Sequence, residues 1–358
     1  MALRLGIIGC GVIGRFHAQA ADGDDWIDLA AVADIDDRAA RNLAETYDVS
    51  SVYGEAAELI ADPNIDAVVL ALLTGVRTPI ALAALRAGKH VLLEKPPAMS
   101  ANDLRAMKAS ANGLVVGCCS SRFSFLDGAE RARAEVESGT LGNIRIVRCR
   151  GIGAVGPFPK GHTPPPWRVS HSLNGGGYMV NWGVYDLDYL MHVTAWQLKP
   201  RTVLAQTWPI APGLADGRVD PASDAENHVI SFIHCDNNAV IVHERGEAVA
   251  MESKLGWSVT GDRASLRLSM TPRADGPQVV LDEADPVDGL RTSVLLDAPG
   301  VNRSNDMPVR DFAAAIRDGR PPRTDLRKAT IIQQVIDAIY TSSRSGRAVD
   351  IDSDYAQS

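Results

Sequence analysis

The earliest candidate for chemistry in the chain is a glycine-rich turn that directly follows an apolar strand pattern, Leu5–Ile8. Its six residues are Gly9, Cys10, Gly11, Val12, Ile13 and Gly14. The first glycine permits a tight bend, the second lets the backbone approach a phosphate, and the third lets a helix pack closely on the strand. The helix N-terminus adds free N–H groups and partial positive charge. The turn therefore predicts a pyrophosphate site for a dinucleotide, with its glycines, Val12 and Ile13 as contacts.

An acidic residue follows at the spacing expected for a ribose contact. Asp34 directly follows the strand pattern Leu29–Ala33 and lies about 20 residues beyond Gly14. Its carboxylate would accept hydrogen bonds from the adenosine ribose and repel a 2′-phosphate, which favours NAD over NADP as the cofactor. Two alternatives stay open: Asp34 could merely cap the next helix, and nearby Arg38 could accommodate the phosphate of NADP.

A lysine stands where a parallel sheet would open its ligand crevice. The strand pattern His90–Leu93 runs into Glu94, Lys95 and Pro96, and ligands bind outside the carboxyl ends of such strands. Lys95 could orient a substrate hydroxyl, and it could exchange a proton if desolvation and a cationic nicotinamide lowered its pKa. The plainer interpretation is a solvated lysine at a strand end.

Together with Gly175-Gly176-Gly177, these features resemble the Gfo/Idh/MocA family of sugar and cyclitol oxidoreductases, over nearly the whole chain. The resemblance implies an α/β protein: an N-terminal Rossmann domain, then a C-terminal α/β domain built on a largely antiparallel open sheet. It also implies a homodimer or homotetramer that assembles through that sheet. Lys95 would be catalytic and precede a cis-proline, and Glu94 and Arg122 would lie close to the nicotinamide. For Arg122, a salt bridge is an equally good interpretation.

The chain departs from this family at its acid–base pair. Asn181 and Tyr185 occupy the positions of the usual Asp-x-x-x-His, and a spacing of four would place both on one helical face. Tyrosine at the second position resembles the glucose–fructose oxidoreductase and dihydrodiol dehydrogenase branches, where its hydroxyl serves as proton donor or acceptor. Structural packing of Tyr185 is the alternative. Asn181 cannot titrate and could only hydrogen-bond the substrate.

Three further stretches are candidates for contacts. Leu72-Leu73-Thr74 stands where relatives have Thr-Pro-Asn, so Leu72 and Thr74 are expected to contact the cofactor through their backbone. Trp167 and Arg168 are expected to line a sugar pocket, because aromatic faces and guanidinium forks suit polyhydroxyl ligands. The Gly- and Pro-rich segment Gly151–Trp167 predicts an ordered loop, either a lid or a surface excursion.

Short apolar runs that alternate with helical patterns must position these residues. In the first part of the chain the runs are Leu5–Ile8, Leu29–Ala33, Ala67–Leu72, His90–Leu93 and Leu114–Cys118. They predict a parallel sheet that is covered on both faces. Later runs alternate in polarity and suit an antiparallel sheet with one solvated face: Arg145–Cys149, Asn227–His234, Ala239–Glu244 and Ser265–Met270. We expect a Rossmann domain over 1–121 and a second domain over 122–358, with a helix over 325–345 that packs back on the first.

Composition excludes several classes of partner. The 358 residues carry a net charge of -8 and no basic run, which argues against nucleic acid or an anionic membrane surface. The apolar runs are too short for a membrane span. The strand pattern at the N-terminus leaves no room for a signal peptide, so a cytoplasmic location is expected. The five irregularly spaced cysteines indicate reduced thiols, and the sequence shows no metal-ligand spacing, so no metal is expected.

The sequence thus predicts an NAD(H)-dependent oxidoreductase that acts on a secondary alcohol or ketone of a sugar, cyclitol or sugar derivative. Lys95, alone or with Tyr185, would transfer the proton. Two alternatives remain: a non-catalytic NAD-binding regulator of the same fold, and a redox-assisted elimination or glycoside cleavage that releases no net NADH.

Overall fold

The computed structural model describes residues 2–157, 165–271, 276–300 and 302–351. The chain forms two compact units. Residues 1–122 and 303–331 make up the first, and residues 123–302 and 332–358 make up the second. The predicted loop Gly151–Trp167 begins too early, because residues 151–154 complete a strand. Residues 158–164 lie outside the described residues, so the interpretation of the loop as a lid is not tested.

The strands of the first unit are β1 (Leu3–Ile8), β2 (Ile27–Ala33), β3 (Ser51–Tyr53), β4 (Ala67–Leu70), β5 (His90–Leu93) and β6 (Val116–Cys118). Those of the second are β7 (Ile144–Ala154), β8 (Pro200–Trp208), β9 (His228–Cys235), β10 (Val240–Val249), β11 (Lys254–Gly261), β12 (Ala264–Leu268), β13 (Val279–Asp285), β14 (Gly289–Leu296) and β15 (Val349–Asp350).

The α-helices are α1 (Val12–Asp22), α2 (Asp37–Thr46), α3 (Ala56–Ala61), α4 (Thr74–Arg86), α5 (Ala101–Ser110), α6 (Asp127–Glu137), α7 (His171–Asn174), α8 (Val184–Val193), α9 (Pro212–Ala215), α10 (Met307–Asp318) and α11 (Leu326–Ser345). A 3₁₀ helix spans Cys119–Phe125, and a π-helical turn spans Met179–Gly183. Among the described residues, every helix is too short or too polar to cross a bilayer.

The first unit is built on a parallel sheet with the strand order β3-β2-β1-β4-β5-β6. Successive strand residues alternate between two apolar clusters: Leu70 and Leu93 belong to one, and Val69 and Leu92 to the other. Both faces are therefore buried, as the continuous apolar runs predicted. The strand order reverses between β1 and β4, and this switch point is where such sheets bind their ligands. The short, half-buried β3 escaped the sequence analysis.

The segment 303–331 clusters with the first unit, whereas the predicted division at residues 121 and 122 placed it in the second domain. Helix α10 packs on α1, β5 and β6, and it buries Phe312 completely. The Cys118 N–H also donates to the Thr324 carbonyl at 2.9 Å. Burial of apolar side chains and a backbone hydrogen bond to β6 thus hold segment 303–331 against the parallel sheet. Helix α11 contributes its first turns to this unit and the remainder to the second.

The second unit contains a nine-stranded sheet in the order β14-β13-β12-β11-β7-β10-β9-β8-β15. Only the β7 and β10 neighbours run parallel in the described part of this sheet, so the prediction of a largely antiparallel sheet is confirmed. Helix α6 packs on β12, β13 and β14 and also on α8. Alternate residues of β9 are buried and exposed, which is the pattern of a sheet with one solvated face.

Candidate functional site

The glycine turn after β1 has the tight geometry that a phosphate-binding turn requires. Gly9 has a φ of 99°, and a Cβ atom there would lie 2.5 Å from the Ala71 carbonyl oxygen. A Cβ atom on Gly14 would lie 2.0 Å from the Gly9 carbonyl oxygen, whereas one on Gly11 would meet open space. Gly11 is the N-cap of α1 and has no side chain to accept from the first-turn N–H groups. The turn is closed where the helix packs and open where an anion would approach.

Asp34 is held at the mouth of this turn by two backbone bonds. Its carboxylate accepts the Cys10 N–H at 2.7 Å and the Asp36 N–H at 2.9 Å. The cap of α2 is Asp36, which accepts the N–H groups of Arg38 and Ala39, so the helix-cap alternative for Asp34 is wrong. Asp34 is half-buried, and each carboxylate oxygen keeps acceptor capacity for a further donor. Arg38 is exposed on the first turn of α2.

Glu94 is the centre of a buried network directly after β5. Its carboxylate lies 2.9 Å from His17 Nε2 and 3.4 Å from an Arg122 nitrogen, and it accepts the Lys95 N–H at 3.0 Å. Burial raises the pKa of Glu94, but the His17 hydrogen bond and the charges of Arg122 and Lys95 outweigh it and hold the pKa well below its usual range. Arg122 therefore makes the salt bridge that was its alternative interpretation. His17 lies 77 residues from Glu94 in the sequence, and no spacing pattern connects the two.

Lys95 is half-buried at the carboxyl end of β5. The Lys95–Pro96 peptide bond is cis, as the family resemblance implied. The other candidate loop follows β4, where Leu72 is half-buried and Thr74 is the first, buried residue of α4. The strand predicted over Ala67–Leu72 ends at Leu70, so Leu72 lies in the loop that leads to α4.

In the second unit, two polar residues account for the glycine run. A Cβ atom on Gly176 would lie 1.8 Å from the Tyr340 hydroxyl oxygen, and one on Gly177 would lie 1.8 Å from the Glu226 carbonyl oxygen. The buried Glu226 carboxylate accepts the Gly177 and Met179 N–H groups and the Tyr340 hydroxyl, the last at 3.0 Å. Glu226 therefore anchors the segment that leads to Asn181. No sequence spacing connects these residues, so Glu226 and Tyr340 left no signal in the sequence.

Asn181 and Tyr185 do not share one α-helix. Asn181 lies in the π-helical turn Met179–Gly183, and Tyr185 follows in α8. The π turn widens the helix locally, and the shared helical face of the two residues stays a prediction. Asn181 is half-buried. Tyr185 is 4% exposed, and its ring lies edge-on to Phe123 at 5.1 Å and to Trp182 at 5.9 Å.

Asp186, directly after Tyr185, binds α8 to the sheet. Its carboxylate accepts two bonds from Arg245, at 2.8 and 2.5 Å, and one from Trp257 Nε1 at 3.0 Å. His243 Nε2 lies 3.2 Å away. Burial raises the pKa of Asp186, but Arg245 and His243 more than offset this and keep it well below its usual range. The partners of Asp186 lie 57 to 71 residues away in the sequence, so no local pattern indicates this network.

Both networks include a cysteine, so each set could offer ligands to a metal ion: His17, Glu94 and Cys119 in one unit, and Cys149, Asp186 and His243 in the other. The sequence analysis found no metal-ligand spacing because these residues come from distant segments. Burial raises the thiol pKa of Cys119 and Cys149 well above its ordinary value. The thiols are therefore protonated, and the carboxylates of Glu94 and Asp186 already accept N–H hydrogen bonds. This arrangement is typical of a structural hydrogen-bond network.

One of the predicted substrate residues of the second unit, Arg168, borders a cavity. Arg168 lies over the Tyr178 ring, 5.9 Å from its centroid, and both line a cavity of about 210 Å³ with Arg218 and Glu247. Trp167, Asn181 and Tyr185 are not among the described residues that line this cavity. Trp167 is 36% exposed. The cavity therefore contains only one of the four predicted substrate contacts of this unit.

Comparison with known proteins extends over both units. The GFO/IDH/MocA description "Oxidoreductase family, NAD-binding Rossmann fold" matches residues 3–118, and the GFO/IDH/MocA C-terminal domain matches residues 129–267. Myo-inositol 2-dehydrogenase of Thermotoga maritima is 25% identical over 64% of this chain. The matched region spans 64% of that relative, just under two thirds of its length. D-glucoside 3-dehydrogenase of Escherichia coli is 26% identical over 98% of this chain and 97% of its own length.

Solved structures show the same fold. An oxidoreductase domain protein from Kribbella flavida aligns with a TM-score of 0.83 and 22% identity, over 99% of this chain and 100% of its own. Levoglucosan dehydrogenase in complex with NADH and L-sorbose aligns with a TM-score of 0.81 and 21% identity, over 98% and 99%. The arrangement of the glycine turn and Asp34 agrees with the NAD-binding description of the first domain. The chain belongs to the GFO/IDH/MocA family of oxidoreductases, with an NAD-binding Rossmann domain at its N-terminus.

Proposed function

We propose that the protein is an NAD(H)-dependent oxidoreductase that interconverts a secondary alcohol and a ketone on a sugar, cyclitol or sugar derivative. One arrangement carries the proposal. The glycine turn after β1, Asp34 after β2 and Lys95 after β5 all stand at the carboxyl ends of parallel strands in one sheet. This edge is the ligand-binding edge of doubly wound folds.

The residues of the first unit fit the cofactor. The open space at Gly11 and the free N–H groups of α1 suit a pyrophosphate. Asp34, fixed by the Cys10 N–H, would accept the ribose hydroxyls and disfavour a 2′-phosphate, so NAD is the expected form. Backbone groups at Leu72 and Thr74 would complete the contacts. Bound NAD would supply a hydride acceptor, which no amino-acid side chain can provide.

Lys95 would handle the proton that leaves the alcohol. In the oxidation direction, the neutral amine accepts the hydroxyl proton while the C–H electron pair departs with the hydride. In the reverse direction, the ammonium donates that proton to the ketone oxygen. Glu94 fixes the Lys95 N–H and would thereby define where the side chain begins. Tyr185 is the candidate for a second proton donor, although its ring is packed against Phe123 and Trp182.

The names of the curated relatives support a polyhydroxyl substrate. Two are called myo-inositol 2-dehydrogenase and D-glucoside 3-dehydrogenase, and both names specify a hydroxyl-bearing ring. We assign Arg168, Trp167 and Asn181 to substrate contacts. Asn181 offers both a donor and an acceptor to a hydroxyl.

The test is turnover by the purified protein. NADH absorbance would be followed with NAD and a panel of sugars and inositols, and products would be analysed in parallel. Lys95→Met should lower kcat by about 100-fold or more, while Lys108→Met, an exposed lysine of α5, should leave kcat unchanged. Tight NAD binding without turnover of any polyol would favour a regulator instead. That alternative draws support from Asn181, which cannot titrate. Product without net NADH would favour elimination or glycoside cleavage.

The second sheet supports assembly into a homodimer or homotetramer. Its solvated face exposes Leu204 by 52%, Ile230 by 39% and Phe232 by 50% on β8 and β9. A contiguous apolar patch of this kind usually marks a protein interface. All five cysteines, each within the described residues, are buried thiols, which supports a reducing cytoplasmic location. Sedimentation of Phe232→Glu against wild-type protein would test the assembly.

A further inference from the structure

Arg77 is a buried cation that the proposed chemistry does not yet use. It lies on α4 with 2% of its surface exposed and is the largest fully buried side chain among the described residues. Burial lowers the pKa of Arg77 to about 10, and the nearby charge of Glu94 acts in the opposite direction. The guanidinium is therefore still charged at neutral pH.

Its hydrogen bonds go to main-chain carbonyls. One terminal nitrogen donates to the Glu94 carbonyl at 2.7 Å and to the Pro96 carbonyl, and the other donates to the Leu72 carbonyl. The two carbonyls of the first nitrogen flank Lys95 on both sides, and Leu72 lies in the loop after β4. A single side chain thus connects the loops that follow two neighbouring strands, β4 and β5.

Burial of this guanidinium costs folding free energy, so we expect it to have a function that offsets the cost. A buried charge without a carboxylate in contact is unfavourable, and an apolar side chain of similar size would fill the same space. The planar fork of arginine can bond several carbonyls at once in a fixed geometry, whereas lysine presents a single point of charge. Three carbonyls in two loops are a match for that fork.

We propose that Arg77 is a positioning residue for Lys95, and that its guanidinium fixes the main chain on both sides of Lys95 and ties it to the loop after β4. Glu94 completes the support, because its carboxylate accepts the Lys95 N–H. The inference rests on the proposed function, since it assigns Arg77 to the presentation of the Lys95 amine.

The substitution Arg77→Lys keeps a cation but loses the fork, and Arg77→Gln keeps donors without the charge. Arg86→Lys and Arg86→Gln are the matched controls, because Arg86 is an exposed arginine on the same helix. We expect both Arg77 variants to lose about 100-fold in kcat, since small displacements of a catalytic group have effects of that size. Calorimetric affinity for NAD should fall less than kcat does, because the glycine turn and Asp34 are untouched and only the proposed backbone contacts after β4 are loosened. An Arg77→Lys variant with kcat within about threefold of Arg86→Lys would overturn the proposal.

A second measurement is independent of turnover. Hydrogen exchange followed by mass spectrometry would report on peptides that cover residues 70–76 and 90–101. In wild-type protein both should exchange slowly compared with the exposed segment 211–217, and in Arg77→Lys both should exchange faster while α1 is unchanged. The proposal would be refuted if these two peptides exchanged rapidly in wild-type protein. It would also be refuted if Arg77→Lys left their exchange unaltered. If no polyol is turned over but exchange responds as expected, the positioning of Lys95 stands and only the proposed reaction fails.

Discussion

Asp186 and Arg245 form a two-pronged ion pair in the interior of the second unit, with Arg245 Nε and Nη2 at 2.8 and 2.5 Å from the two carboxylate oxygens. The Arg245 guanidinium also lies over the Trp182 ring, 5.3 Å from its centroid. Trp182 in turn contacts Tyr185. The pair therefore fixes the segment on which Asn181 and Tyr185 are carried, one on each side of Trp182.

Removal of the charge at Asp186 should destabilise the fold strongly. In Asp186→Asn, Arg245 would remain buried without a full counter-charge, and breaking a buried pair in this way costs about 3–5 kcal/mol. Urea denaturation at neutral pH is the measurement. The control is Asp282→Asn, because Asp282 binds Arg267 in the same two-pronged manner on the solvated sheet face. There the loss should stay below about 1 kcal/mol, and equal losses in the two variants would contradict the argument.

Acid should unfold the protein through the same carboxylates. Glu94 and Asp186 have folded-state pKa values below their ordinary range, because bound N–H donors and cations outweigh burial. A carboxyl group of this kind stabilises the folded state fully above its unfolded pKa of about 4, and the contribution is lost as the pH falls further. The urea midpoint should therefore be level near neutral pH and fall steeply below about pH 5.

The variant Asp186→Asn provides the control for this pH dependence. It should begin from a lower midpoint at neutral pH and decline less steeply in acid, since one of the linked protons has been removed. A variant whose acid slope matched that of the wild-type protein would show that Asp186 does not contribute to the acid sensitivity.

Patterns that are local in sequence predicted the first unit well. The glycine turn, Asp34 and Lys95 each follow a buried strand, and a parallel sheet brings the ends of its strands to one edge by geometry alone. The boundaries were less accurate where tertiary contacts decide them, as at Leu72, whose predicted strand ends at Leu70. Segment 303–331 could not be assigned from pattern, because its place depends on burial of Phe312 against an early sheet.

Networks built from distant residues left no sequence signal. Glu226 lies 114 residues from its hydrogen-bond partner Tyr340, and Arg245 lies 59 residues from Asp186. Arg77 sits on an ordinary helical pattern and is distinguished only by its burial. The π turn at Asn181 was also invisible, since the single glycine at its end, Gly183, does not by itself indicate a π turn. The placement of polar residues at strand ends was predictable, whereas the buried side chains that support them were not.

Asp34 should decide which dinucleotide is bound. Asp34→Asn removes the charge that, in the proposed site, would accept ribose hydroxyls and repel a 2′-phosphate, and charged hydrogen bonds of this type are worth about 1.5–3 kcal/mol. NAD affinity should fall by roughly tenfold or more, and the ratio of NADP to NAD affinity should rise, helped by Arg38. Calorimetry with both cofactors is the measurement, with Asp37→Asn on the exposed face of α2 as the control. An unchanged cofactor preference would remove Asp34 from the ribose site.

Glu226 offers the sharpest test of how the second-unit segment is held. Burial raises the pKa of this carboxyl, against the opposing effect of the Met179 N–H and the other donors. An acid with a raised folded pKa binds its proton more tightly in the folded chain, so its contribution to stability declines as the pH rises through that value. Glu226→Gln, neutral at every pH, should therefore melt at least as high as wild-type protein at pH 8.

Glu226→Ala should lose about 1–3 kcal/mol of folding stability, because the Gly177 and Met179 N–H groups and the Tyr340 hydroxyl lose their acceptor. Thermal melts of both variants, with the exposed Glu252→Gln as the control, would separate the charge of Glu226 from its role as a hydrogen-bond acceptor. If Glu226→Gln and Glu226→Ala lost the same stability, the negative charge itself would hold the glycine run in place.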